Sequence, residues 1–267
     1  MMQQLRKWSW MLCLVAVLVS LTACANGDPS SVSSDPTEDP SAVESPSATV
    51  DAPAAEANES AIAAAEIPAG LPVLTGPATV EMQINGGTVV MELDGEKAPI
   101  TAGNFVDLVQ RGVYDGVSFH RVVKSPEPFV VQGGDPQSKD PAVSPQLLGT
   151  GSFTDPETNE PRYIPLEIQP AGADAPIYGQ TFEQAGITQP PALSHTRSAV
   201  AMARSQLPDS ASAQFYVALA DLPFLDGSYA VFGYVIEGMD IINDIEQGDV
   251  VESATVVSGI ENLQQPE

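Results

Sequence analysis

Two stretches of this chain set polar side chains among strand-forming apolar ones in the manner of a ligand site. Phe119-His120-Arg121-Val122 is followed by Phe129-Val130-Val131-Gln132-Gly133-Gly134-Asp135. Farther on, Ala201-Met202-Ala203-Arg204 leads to Ser212-Ala213-Gln214-Phe215-Tyr216-Val217 and then to Phe224-Leu225-Asp226-Gly227-Ser228-Tyr229. Arginine and glutamine are seldom buried without a partner. An arginine with glutamines and aromatics from distant runs therefore implies a half-buried polar cluster beside an apolar pocket. The other chemistries are thinly supplied. Cysteine occurs only at Cys13 and Cys24, which leaves no disulfide framework or thiolate metal site beyond residue 24. His120 and His195 are the two imidazoles, too few for a multi-histidine centre. Ser118 and Ser194 lie near them in sequence, but sequence neighbours do not make a triad, and both histidines are expected to be structural. Asp155, Glu157 and Asn159 alternate like the start of a calcium loop, yet the following glycine and the closing glutamate are missing. No metal or cofactor is expected.

The elements that must position these residues are short. Residues 79–84 alternate, Asn85-Gly86-Gly87 turns, and residues 88–93 return, a hairpin signal. Thr101 has the chemistry of a helix N-cap, Phe105, Leu108 and Val109 follow at helical spacing, and Gly112 stands where a C′ glycine belongs. Short β-rich runs cover 116–123, 129–132, 199–203, 214–219 and 229–235. A second helix spans about 238–246 with Met239, Ile242 and Ile245 on one stripe, and a last strand lies near 254–260. Many short strands with two helices predict a mainly β fold: a closed barrel capped by helices rather than a βαβ sheet. The proline-rich stretch 136–198 reads mostly as loop.

Ahead of the domain the text is of another kind. Residues 1–23 have a positive start at Arg6 and Lys7, an apolar run and small residues at Thr22 and Ala23, the plan of an export signal too short to span a bilayer. Residues 24–77 are rich in Ser, Pro, Ala, Asp and Glu with no regular apolar period. They are expected to be a disordered acidic linker, the domain then occupying 78–262 and a tail 263–267. Asp and Glu outnumber Lys and Arg by 35 to 10, for a net charge of −25, which argues against nucleic acid as a partner.

Two resemblances sharpen this reading. Leu21-Thr22-Ala23-Cys24 resembles the lipobox of bacterial lipoproteins, which implies acylation of Cys24, a membrane anchor and an exported, periplasmic or extracytoplasmic location. The two polar stretches, with the first hairpin, Ala98-Pro99 and Asn104-Phe105, and Leu193-Ser194-His195-Thr196, are similar in order and spacing to the signature regions of cyclophilins, over about residues 79–260. That family implies a closed eight-stranded antiparallel barrel capped by two α-helices, and peptidyl-prolyl cis-trans isomerase activity. By position it implies a catalytic group of Arg121, Gln132 and Phe129. Val130, Tyr216, Phe224 and Leu225 would form the proline pocket, with Ala203, Arg204, Gln214 and Tyr229 along the bound peptide. Phe224 stands where many eukaryotic members have tryptophan, which implies weak cyclosporin binding. Tyr216 replaces a phenylalanine and adds a hydroxyl that needs a partner.

The implied reaction suits a chain poor in nucleophiles. Turning an Xaa–Pro bond means losing amide resonance at a barrier of ~18–20 kcal/mol. In the twisted state the prolyl nitrogen regains a lone pair, and a guanidinium beside it stabilises that state above the planar one. The expected partners are proline-containing segments of exported proteins, with the chain itself a monomer. The alternative is a non-catalytic module that holds such segments during assembly at a membrane.

Overall fold

The computed structural model describes residues 69–266. The export signal, Cys24 and most of the expected linker lie outside them. The strands are β1 (Val73–Leu74), β2 (Pro77–Ile84), β3 (Gly87–Asp94), β4 (Arg121–Val123), β5 (Val130–Gly133), β6 (Glu167–Ile168) and β7 (Ile177–Tyr178). They continue with β8 (Ala199–Met202), β9 (Phe215–Ala218), β10 (Val231–Glu237), β11 (Val251–Ser258) and β12 (Leu263–Gln264). Three helices intervene: α1 (Pro99–Gln110), α2 (Phe182–Ala185) and α3 (Met239–Asp244).

Eight strands make one antiparallel sheet in the order β11-β2-β3-β10-β8-β9-β5-β4. The expected mainly β fold of eight antiparallel strands is met, with the barrel formed by a curled sheet. The two edges meet just before their strands begin: Ser118 bridges Val250, and Val251 N–H donates to Val117 O at 2.9 Å. Alternation decides which side chains face inward. Along β2, Ala78, Val80, Met82 and Ile84 are buried, and along β3, Val89, Met91 and Leu93. Asn85 (φ 53°) and Gly86 (φ 72°) form the two-residue turn between them, the left-handed pair that a tight hairpin requires. Phe105 of α1 enters the core 4.8 Å from Tyr114, 5.3 Å from Phe215 and 5.0 Å from Phe232, measured between ring centroids.

Several expectations need correction. The fold starts before residue 78 and runs past 262, because Val73–Leu74 pair with Leu263–Gln264 and Leu74 is fully buried. Strands of two residues carry no period, and their partners lie almost the whole domain away. Thr101 is not the N-cap of α1; that place falls to Ala98, with Pro99 in the first turn, where its missing N–H costs nothing. Residues 136–198 are more than loop. They contain the β6–β7 pair and a third helix, α2, opened by a Thr181–Gln184 capping box and closed by Gly186 in the left-handed region. Leu166, Ile168, Ile177 and Phe182 bury there as a small core of their own. Asp155, Glu157 and Asn159 form a turn, with Glu157 N–H donating to Asp155 Oδ1 at 2.9 Å. Among the described residues no helix is long and apolar enough to cross a membrane.

Candidate functional site

Strand register brings the sequence-distant polar residues into one file. Arg121 on β4 stands opposite Gln132 on β5, Gln132 opposite Tyr216 on β9, and Tyr216 opposite Ala201 on β8. Facing residues across a sheet share a face, so this row points away from the core that takes Val131, Val200 and Val217. The outward face carries a second apolar cluster. Val130, Ala199, Ala201, Tyr216, Ala218, Leu222 and Val231 are buried in it, and Phe129, Ala203, Leu225 and Tyr229 pack around it.

The polar file runs along one side of that cluster. Arg121 donates from Nη1 to Gln132 Oε1 at 3.3 Å, Gln132 from Nε2 to Gln214 Oε1 at 3.3 Å, and Gln214 from Nε2 to Gly151 O at 2.8 Å. The Arg121 guanidinium also lies 5.3 Å from the Phe129 ring centroid, a cation–π distance. Arg121 is exposed rather than half-buried, because β4 is an edge strand, and no carboxylate among the described residues pairs with it. A core ion pair is therefore not its role.

Arg204 lies 4.6 Å above the Tyr229 ring and donates to backbone carbonyls: Ser228 O from Nη2 at 2.7 Å and Ser205 O from Nη1 at 2.8 Å. These bonds fix the turn that carries Tyr229. Phe224 departs from the expectation. It is 70 % exposed and stacks on Phe129 at 6.0 Å, so it forms the rim of the pocket and not its wall. The short helical turn Pro223–Leu225 explains this, since adjacent residues of a turn cannot face the same way and Leu225 takes the inward place. Beyond Gln132 and Gln214 the groove opens into a cavity of about 630 Å³, bordered by Thr150, Tyr163, Ser205 and Leu207.

Arg121, Phe129, Val130, Gln132, Ala203, Arg204, Gln214, Tyr216, Phe224, Leu225 and Tyr229 thus lie along one outer face of the sheet, while Cys24 lies outside the described residues. Three others support them that sequence reasoning did not single out as functional. Asp135, fully buried, accepts from Gly149 N–H at 2.6 Å and from Gly151 N–H at 3.1 Å, and so holds the loop whose carbonyl binds Gln214. His195 and Asp226 stand behind the pocket floor: Tyr216 Oη is 2.9 Å from His195 Nε2, and His195 Nδ1 is 2.8 Å from Asp226 Oδ1. The added hydroxyl at Tyr216 was the signal that a partner had to exist. Burial pushes the Tyr216 phenol above its ordinary range. Burial also lowers His195, against the opposing pull of Asp226. His120, next to Arg121, is lowered chiefly by burial, with Asp135 opposing and the Arg121 charge adding to the shift.

Fold and site define a curled antiparallel β-barrel whose outer face carries a buried apolar cluster beside a guanidinium that no carboxylate among the described residues pairs with. The family model described as cyclophilin type peptidyl-prolyl cis-trans isomerase/CLD matches residues 79–264, and the chain belongs to that family. It is 43% identical over 205 residues to a protein of Synechocystis sp. named as a thylakoid lumen peptidyl-prolyl cis-trans isomerase, covering 73% of this chain and 51% of that one. It is 40% identical over 214 residues to the chloroplastic peptidyl-prolyl cis-trans isomerase CYP38 of Arabidopsis thaliana, covering 73% and 46%. The chain thus spans about half the length of these two relatives. A crystal structure of a cyclophilin type isomerase from Cryptosporidium parvum shares the fold, with a TM-score of 0.50 and 23% identity over 68% of this chain and 98% of that one.

Proposed function

We propose that the chain catalyses cis–trans isomerisation of Xaa–Pro bonds in exported proteins, with Arg121 stabilising the twisted amide. The observation that carries this reading is the Arg121 guanidinium, without a carboxylate partner among the described residues, beside Phe129 on the face that carries the Val130, Tyr216 and Leu225 cluster, which would form the proline pocket. The proline ring enters that pocket, and Phe224 covers it from the rim. Gln132 takes one guanidinium donor and thereby aims the remainder at the prolyl nitrogen. Gln214, Ala203 and Arg204 line the path of the peptide on the cavity side. Twisting removes amide conjugation and exposes a lone pair, so the guanidinium interacts more strongly with the transition state than with either planar isomer. A thousandfold acceleration needs only about 4 kcal/mol, within reach of one charged hydrogen bond and a ring held in place.

An exported location rests on the plan of residues 1–23 and on the thylakoid lumen and chloroplast names of the two relatives. Acylation of Cys24 would then hold a monomeric enzyme at the membrane, with its acidic linker as spacer. The test is cis-to-trans conversion of a short Xaa–Pro peptide by the full chain and by its Arg121→Ala variant, with detergent in every sample. Acceleration by the wild type that is largely lost in the variant supports the reading. A folded wild type without acceleration would leave a proline-binding module and no enzyme.

A further inference from the structure

Tyr216 forms the floor of the pocket, and its hydroxyl points away from the groove into a hydrogen-bonded pair that the isomerase chemistry does not require. Asp226 Oδ1 accepts from the backbone N–H of His195 at 2.8 Å and lies 2.8 Å from Nδ1 of the same residue. A carboxylate only accepts, so Nδ1 carries the proton, and in the neutral imidazole Nε2 has a free lone pair. The Tyr216 hydroxyl, 2.9 Å away, then donates to it. The two rings are nearly parallel, at 14°. Leu222 N–H donates to His195 O at 2.7 Å, and Tyr234 Oη donates to Ser194 O at 3.0 Å, so the backbone that carries the imidazole is held from both strand and turn.

We propose that Asp226 and His195 are positioning residues for this pocket, holding the Tyr216 ring as its floor by accepting the hydrogen bond that its hydroxyl donates. The inference rests on the reading of the groove as an isomerase site. If the imidazole gains a proton, Nε2–H donates to Tyr216 Oη and the hydroxyl proton must turn elsewhere. Tyr216 is buried in an apolar cluster with Val130, Ala199, Ala218 and Val231, and Tyr229 meets its ring edge-on. The hydroxyl proton would then turn toward the groove, where the proline ring would sit. The charged and titratable groups that face this pair are Asp226 on the turn before β10, Tyr234 on β10, Tyr229, Arg204, and Arg121 on β4. Asp226 is the one that favours the imidazolium, and burial opposes it.

A pocket floor contacts the proline ring in the planar and the twisted states alike, so its disturbance raises KM and leaves kcat in place. The experiment follows kcat and KM for an Xaa–Pro peptide between pH 8 and pH 4.5, using the full chain and its Tyr216→Phe and Asp226→Asn variants. Nitrogen-15 shifts of the two imidazoles are recorded in parallel. The wild type is expected to lose kcat/KM by about fivefold through KM as His195 titrates, the scale of one hydrogen bond. Tyr216→Phe is expected to flatten that loss. Asp226→Asn is expected to move it to lower pH, since the carboxylate that favours the imidazolium is gone. The shifts should show His195 as the Nδ1–H tautomer, with Nε2 moved in Tyr216→Phe. An Nε2–H tautomer, or an acid loss unchanged in Tyr216→Phe, would overturn the proposal. If no sample isomerises the peptide, the proposed function falls, and the imidazole shifts still decide whether the relay exists.

Discussion

Asp135 accepts the Gly149 N–H at 2.6 Å, and through this contact a buried carboxylate on the core side shapes the groove on the outer side. The same oxygen takes the Gly151 N–H, and Gly151 O receives Gln214. Replacing Asp135 by Asn puts an amide against N–H groups. Leaving one buried donor unsatisfied costs roughly 1–3 kcal/mol. Asp135→Asn is therefore expected to lower the melting temperature and also kcat/KM, although it touches no substrate. A variant that melts with the wild type would show that the loop holds itself.

Arg121 allows function to be separated from stability. It is exposed on an edge strand, so Arg121→Ala should shift stability by no more than about 0.5 kcal/mol. Loss of a charge aimed at the developing lone pair should cost about 10²–10³ in kcat. Arg121→Lys keeps the charge but not the fork that binds Gln132, and is expected to fall between the two. Denaturant curves and peptide kinetics on the same preparations check both halves.

Glu167 gives the pH dependence of stability a sign. Its oxygens accept from Ile100 N–H at 3.0 Å and Thr101 N–H at 2.7 Å, capping α1 from a distant segment. Burial raises its protonation above the ordinary carboxylate range, although these N–H groups and the Tyr178 hydroxyl oppose the shift. A folded-state value above the unfolded one means that its contribution is fully present below the unfolded value, near 4.5, and is lost as pH rises through the folded one. Glu167→Gln should flatten that decline while lowering stability by roughly 1–3 kcal/mol at acid pH, through a poorer cap. Melting curves from pH 4 to 8 give the comparison, and parallel wild-type and variant curves would reject this account.

Gly259 lies between β11 and the turn that leads to β12, at φ 79°. A Cβ there would stand 2.2 Å from Pro77 O and 2.6 Å from Ala78 Cα, both backbone atoms of β2. Gly259→Ala adds steric conflict to the strain of a left-handed alanine. The expected loss exceeds about 2 kcal/mol, seen as a lower denaturant midpoint with unchanged slope. Gly70, also left-handed at φ 82° but with open space around it, should tolerate alanine with a smaller loss.

What was legible in the sequence is what short-range physics writes there. Alternation along β2 and β3, the Asn85-Gly86 turn and the apolar spacing of α1 each depend on residues within a few positions of one another. The two signature stretches carried the groove residues through their resemblance to cyclophilins, and residue type alone pointed only to an arginine and glutamines that are costly to bury without partners. Three things were decided only in three dimensions. Val73–Leu74 joined the fold through a partner about 190 residues along the chain. Glu167, not Thr101, capped α1, because a helix end takes whichever acceptor packing brings to it. Phe224 went to the rim while His195 and Asp226 came beneath Tyr216, since the direction of a side chain on a turn follows from what its neighbours bury. Sequence determined which residues are candidates for the groove; tertiary packing decided which of them share its face and which hold the others in place.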